Sequence, residues 1–239
     1  MSKKQKSKLI FMLLSIIIIL ITVYFEDDID RLYNKIMDVT VKSYSIDELP
    51  IYNGQNYVVL DNNNPSFEEE EITTNSFEKY SNLDRLGRCG VAFANISQDT
   101  MPTSKRESIG MIKPSGWQIS KYDFIEGKYL YNRCHLIGYQ LSGENANAKN
   151  LITCTRQMNS IGMLHFENKV ASYVRRTGNH VLYRVSPIFV DKNLIVSGVE
   201  IEALSVEDKG KGIKFHVYVY NVQDGVVINY SNGDNQEKL

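Results

Sequence analysis

Five polar residues in the middle of the chain could do chemistry together: Arg133, His135, Asn150, Asn159 and Glu167. His135 lies in "YNRCHLIGYQ", at the end of an aromatic-rich run. Its neutral imidazole is accessible near pH 7, so it could take a proton from an attacking water. An arginine such as Arg133 can hold a phosphate by two N–H groups and oppose charge that develops in a transition state. A hard cation such as Mg2+ prefers oxygen ligands, keeps several waters, and is often held by one or two protein groups plus substrate phosphate. The amide oxygen of Asn159 suits that task, and a carboxylate such as Glu167 can orient water beside it. Base, metal ligand and arginine are together what phosphodiester hydrolysis requires. One histidine beside one arginine would by itself be ordinary turn chemistry; the argument rests on the set.

Such a set works only if elements bring it together. "KYLYNRCHLIG" reads as a strand running into a turn, and "SGENANAKNLITCT" as a Gly-, Asn- and Ser-rich loop. "MLHFENKVASYVRRTG" has helical spacing and a stop at Gly178, which puts Glu167 on a helix. Upstream, "NYVVLDNNNPSF" predicts a strand from Tyr57 to Leu60, "CGVAFANI" a second strand, and "KPSGWQIS" a turn carrying Trp117. Downstream, "HVLYRVSPIFV", "NLIVSGVEIEALSV" and the alternating "IKFHVYVYNV" are β-like. The class is α+β: a central antiparallel sheet with helices. His165 at the helix start, His180 in a turn and His216 in a strand read as structural, and Trp117 as packing. Arg156, Arg175 and Arg176 could touch phosphates, although exposed arginines are ordinary.

The chain begins with a basic tail, residues 1–8, followed by the uncharged apolar run "LIFMLLSIIIILITVYF" at 9–25. Seventeen residues are at the short end for a transmembrane helix. The run ends in Val23, Tyr24 and Phe25, without a small-residue cleavage site, so an uncleaved signal anchor is expected. Lysines before it and acids after it put the tail in the cytoplasm and the rest outside the cell. Apolar positions Ile29, Leu32, Tyr33, Ile36 and Met37 predict a short stalk helix. The net charge of −1 would argue against a nucleic-acid partner, but charge is segregated: residues 101–190 hold twelve Lys and Arg against five Asp and Glu. The cysteines Cys89, Cys134 and Cys154 match no zinc spacing; outside the cell they could form one disulfide, in any of three pairings.

"NRCHLIG", followed by "NLITCTRQMN" and "FENKV", resembles the DNA/RNA non-specific endonuclease family, most closely the DNA-entry nucleases and secreted DNases of Gram-positive cocci. The resemblance runs from about residue 55 to 225, and Asn150, Asn159 and Glu167 stand in the family's order and spacing. It implies a ββα-metal fold in which two strands and a helix frame one Mg2+, or Mn2+ in its place. His135 matches the general base, Asn159 the direct metal ligand, and Arg133 the arginine of the family's D-R-G-H motif. Asn150 and Glu167 match supporting positions near the metal and its waters. Such enzymes cut DNA, often RNA too, with little sequence preference and leave 5′-phosphate ends. The sequence departs from the pattern at Asn132, often Asp in the family, and at Cys134 and Cys154, where glycine is expected.

The organisation implied is a tail (1–8), an anchor (9–25), a stalk or linker (26–54), a nuclease domain (55–230) and a C-terminal tail (231–239). The function expected is that of a membrane-anchored, extracellular nuclease acting on double- and single-stranded DNA, and on RNA, beside a DNA-uptake machinery or in DNA degradation. A histidine base predicts activity that falls below roughly pH 6. Its rivals are a non-catalytic DNA receptor on the same fold, which needs neither His135 nor Mg2+, and a surface structural protein that binds no DNA.

Overall fold

The computed structural model describes residues 44–238, together with Gln5, Lys8, Met12 and Ser15. The expected stalk helix lies outside the described residues, as does the expected span at 9–25 apart from Met12 and Ser15. Among the described residues no helix is long and apolar enough to cross a membrane.

Among residues 44–238, ten strands and two α-helices follow in chain order. β1 (Tyr57–Val59), β2 (Phe77–Tyr80), β3 (Ala92–Ile96), β6 (Val181–Ile188), β7 (Gly198–Ser205) and β8 (Lys214–Tyr220) form one antiparallel sheet in the order β1-β8-β7-β6-β3-β2. β4 (Tyr131–His135) and β5 (Leu151–Thr155) make a separate two-stranded ribbon, and so do β9 (Val226–Ile228) and β10 (Asn235–Glu237). The helices are α1 (Tyr139–Ser142) and α2 (Leu164–Thr177). Strand alternation decides the faces: Val199, Ile201 and Ala203 of β7 join Phe215, Val217 and Val219 near β8 in the core, while Glu200 and Glu202 project to the opposite side. Onto the core face packs α2, through Phe166, Val170, Ala171 and Val174. These spacings are the i, i+4 stripe that the sequence shows. Gly178 ends the helix at φ 73°, its N–H bonded to the Val174 carbonyl. That left-handed cap favours glycine.

The far face carries a buried ion network. Arg184 Nε donates to Glu202 at 2.7 Å, with both side chains almost fully buried. His216 Nε2 lies 2.5 Å from Glu200, and its Nδ1 donates to the Asn64 carbonyl at 2.9 Å. These carboxylates raise His216 against the effect of its burial, and Arg184 and Ser66 help hold Glu202 low. Glu200, Glu202 and His216 are the one group of three or more His, Cys, Asp or Glu side chains, among the described residues, with ligand atoms close enough for a cation. It lies on the face of the sheet opposite α2.

Three sequence expectations change. The stretch expected as a loop from Ser142 to Thr155 ends in β5, because the β-branched "LITCT" pairs with β4 throughout its length. The helix expected near 163 is preceded by a π-helical turn, Met158–Met163. Residues 235–237, expected in a C-terminal tail, pair with β9.

Candidate active site

The β4–β5 ribbon and the start of α2 converge on a cleft of about 730 Å³. Arg133, His135, Asn159 and Glu167 all line it, so four of the five sequence-selected residues come together. Arg106 and Arg156 join them, and among the described residues Glu167 is the only acidic one on the wall. Arg156 is paired with Glu126 at 3.3 Å, so Arg106, beside His135, is the guanidinium best placed to meet a phosphate oxygen.

His135 closes β4 and is 6 % exposed. Its Nε2 is 2.8 Å from the Asn145 backbone carbonyl. A carbonyl only accepts, so the hydrogen is on Nε2 and the free lone pair is on Nδ1. Nδ1 faces Arg106, whose Nη2 is 3.3 Å away. Burial pushes the imidazole down to about 4, with Arg106 adding to the effect and the Asn145 carbonyl opposing it. Burial thus disfavours the charged imidazole, so a base at this position would stay neutral to more acid pH than an exposed histidine.

Asn150 is the residue that does not reach the cleft. It is wholly buried, its Oδ1 accepts from the Ile137 N–H at 2.9 Å, and its Nδ2 donates to the Ile137 carbonyl at 3.0 Å. Its own carbonyl accepts from Leu136 N–H at 2.9 Å. It fixes the turn just after His135, on the far side of that turn from the residues that line the cleft. Arg133 also differs from expectation. Its Nη2 donates to the Gly110 carbonyl at 2.9 Å, its Nε to the Ile112 carbonyl, and its guanidinium lies 3.9 Å from the Trp117 ring centroid. Much of its hydrogen-bonding capacity therefore holds the 110–117 loop against the ribbon.

Asn159 lies on the π-helical turn, half-buried, with its amide engaged by no protein partner among the described residues. Glu167 is 9 % exposed, on the first turn of α2, and burial raises it to about 7 against the pull of Gln140 and Arg106. Gly138 makes room for it: a Cβ there would run into the Glu167 carboxylate. An amide oxygen and a carboxylate are hard donors, and the pair fits a hard divalent cation. Asn132, at the position often occupied by Asp in the family, also lines the cleft, with its Nδ2 buried and unpartnered.

Two cysteines frame the site. Cys134 and Cys154 form a disulfide across the ribbon, with Cα atoms 5.9 Å apart. Cys89 is free and buried; its thiol donates to the Leu151 carbonyl at 3.1 Å, and burial pushes it up to about 12. An inert thiol results.

Sequence reasoning missed Arg106, the Asn145 carbonyl and Gly138. Arg106 is 29 positions from His135 in an irregular stretch, where no periodicity marks it. A backbone carbonyl has no residue-type signal at all. Gly138 stands inside the "NRCHLIG" motif and could have been read as a close approach.

A cleft lined by arginines, one uncharged base and the oxygen donors of Asn159 and Glu167 has the groups that a phosphodiester hydrolase uses, carried on a strand pair and a helix. The comparisons agree. Residues 68–207, more than half of the chain, match the family model for DNA/RNA non-specific endonuclease, and the chain belongs to that family. Among solved structures, NucA from Streptococcus agalactiae with magnesium ion bound is similar with a TM-score of 0.70 at 21% identity, over 81% of this chain and 94% of that one. Sda1 nuclease with bound zinc ion is similar with a TM-score of 0.57 at 29% identity, over 68% of this chain and 81% of that one. No curated protein matches the chain significantly.

Proposed function

We propose that the chain is a sequence-nonspecific endonuclease that hydrolyses DNA with Mg2+, outside the cell and tethered by its N-terminal apolar run. The observation that carries the chemistry is the tautomer of His135: Nε2–H is bound to the Asn145 carbonyl, leaving Nδ1 as a buried, uncharged base facing the cleft. Nδ1 accepts a proton as water oxygen attacks phosphorus, and the P–O3′ bond breaks to leave a 5′-phosphate end. Arg106, the nearest donor to Nδ1, exchanges that contact for a phosphate oxygen when substrate enters. Asn159 would hold the divalent cation with Glu167 beside it, and the cation would supply positive charge against the transition state and the leaving oxygen. Asn150 and Arg133 position: one fixes the turn behind the base, the other the loop that forms the cleft wall.

A phosphate contact through Arg106 reads the shared backbone and no particular base, which supports cleavage without sequence preference and acceptance of RNA by the same contact. The family resemblance to DNA-entry nucleases supports a place in DNA uptake or degradation. The apolar run at 9–25 supports anchoring, and the Cys134–Cys154 disulfide supports an oxidising compartment. The test is cleavage of supercoiled plasmid by the full chain in detergent, with Mg2+ or EDTA, beside His135→Ala. Cleavage that requires both Mg2+ and His135 supports the reading. Binding without cleavage by either protein would instead make the chain a DNA receptor on a nuclease fold.

A further inference from the structure

A second groove, of about 700 Å³, runs between α2 and the β1–β8 edge of the main sheet. Its wall carries Lys169, Arg176 and Lys214 and, among the described residues, no acidic side chain. On a chain whose net charge is −1, three fixed cations without a carboxylate are a concentrated positive site. Asp208, near the groove wall at Tyr173, is taken up by the hydroxyls of Tyr173, at 2.8 Å, and Ser205. The groove also offers rings. Tyr57 and His165 lie nearly parallel, with centroids 6.1 Å apart and 16° between planes, and Tyr57 is 36 % exposed. A row of cations beside accessible aromatic faces is the chemistry that holds a single strand, phosphates to the cations and bases to the rings.

The groove shares its helix with the cleft. Leu164 and Glu167 of α2 line the catalytic cleft, while His165, Lys169 and Arg176 line the groove. From Glu167 to Arg176 the helix rises about 14 Å, a short step for a polynucleotide already held at one phosphate. We propose that this groove is an exosite for nucleic acid, which binds the strand flanking the scissile phosphate and raises affinity for long substrates. The inference rests on the nuclease reading of the cleft; it adds a binding site for the same polymer, and none of its three cations takes part in the chemistry.

The test is the full chain in detergent with Lys169→Gln, Arg176→Gln and Lys214→Gln combined, beside a charge-conserving Lys169→Arg, Arg176→Lys, Lys214→Arg chain. Binding of a labelled thirty-nucleotide DNA strand is followed by anisotropy in EDTA against salt, and cleavage of a dinucleotide is followed with Mg2+. The Gln variant should bind the long strand roughly tenfold or more weakly, and its log–log salt slope should drop by about 2, near 0.7 per lost contact. Its dinucleotide turnover should stay at the wild-type level, and the charge-conserving chain should keep the wild-type slope. An unchanged slope overturns the exosite, and so does an equal loss in the charge-conserving chain or in dinucleotide turnover, since either would mean damaged packing. A loss seen only on vesicles of anionic lipid, with DNA binding intact, overturns it in favour of a membrane contact. If the wild type binds in EDTA with the expected slope change but never cleaves, the nuclease reading fails while the exosite stands.

Discussion

Arg106→Gln combined with a pH profile tests the account of His135 most directly. Burial and Arg106 hold the imidazole at about 4, against an ordinary 6.5. At pH 5 such a base is roughly 90 % neutral, whereas an ordinary histidine is roughly 3 % neutral, about a thirtyfold difference in competent enzyme. The same shift acts on stability, and its sign follows from linkage. Between pH 6.5 and 4 the unfolded chain binds the proton that the folded chain refuses, so stability falls as pH drops, by about 2 kcal/mol at pH 5 and about 3 kcal/mol below pH 4. The assay is therefore kcat/KM on plasmid from pH 4 to 8 at saturating Mg2+, with far-UV circular dichroism at each pH to separate unfolding from loss of the base. Burial raises Glu167 to about 7, so Glu167→Gln is profiled alongside, and a limb that persists in it is assigned to His135. Wild type should keep most of its activity at pH 5. Arg106→Gln should move the limb upward yet leave it below 6.5, because burial is the larger cause. A wild-type limb at 6.5 with the fold intact would refute the buried-base argument, and so would a limb that moves down when Arg106 is removed.

Four further outcomes follow from the same geometry. Asn159→Ala should cost roughly a hundredfold or more in kcat, the several kcal/mol expected of a lost metal contribution, and isothermal titration should show weakened Mg2+ binding with the melting temperature unchanged. Gly138→Ala should displace the Glu167 carboxylate, costing about 1–3 kcal/mol by overpacking and lowering kcat/KM at least roughly tenfold, measured by urea melts and plasmid cleavage. Arg184→Met strips the guanidinium from the buried Glu202 and should cost about 3 kcal/mol in a urea melt, while leaving the acid limb of cleavage in place. Cys134→Ser with Cys154→Ser releases a loop closed over a separation of 20 residues and should cost about 3 kcal/mol, seen as a lower urea midpoint that reductant reproduces in the wild type.

Much of the site was legible because its pieces are local in sequence. Period-two alternation marked β8, the i, i+4 stripe and Gly178 marked α2, and the order of His135, Asn159 and Glu167 along one strand-loop-helix passage kept them within a single motif. What stayed hidden depends on the third dimension. β5 was hidden because asparagines upstream make the whole stretch look like loop, and only pairing with β4 turns "LITCT" into a strand. The resemblance put Asn150 at a supporting position near the metal; its total burial against the Ile137 backbone is a packing fact that spacing does not carry. Arg133 looked like a phosphate clamp because its residue type suits that task, and the carbonyls of Gly110 and Ile112 claim it instead. The downward shift of His135 was also hidden, because burial sets it, and burial is the property least visible in residue type.

The two cysteines that depart from the family pattern become one feature in the structure. The ribbon carrying His135 is not hydrogen-bonded into the main sheet, and an isolated two-stranded ribbon is marginal in water. Its support comes from elsewhere. Asn221 bridges it to β7's approach, with Oδ1 accepting from Thr155 N–H at 2.8 Å and Nδ2 donating to the Val196 carbonyl at 2.8 Å. Asn150 ties the turn after β4 to the start of β5. The Cys134–Cys154 bond crosses the ribbon one residue from the base, and Cys154 pairs in register with Asn132 on the cleft wall. Glycine at these positions would leave the backbone of β4 and β5 freer, whereas the disulfide removes that freedom covalently. A catalytic histidine needs its base nitrogen held to a fraction of an ångström, and here two strands outside the sheet must provide that. The substitutions that look like departures in the sequence therefore act in the structure as the fastening of the strand that presents His135.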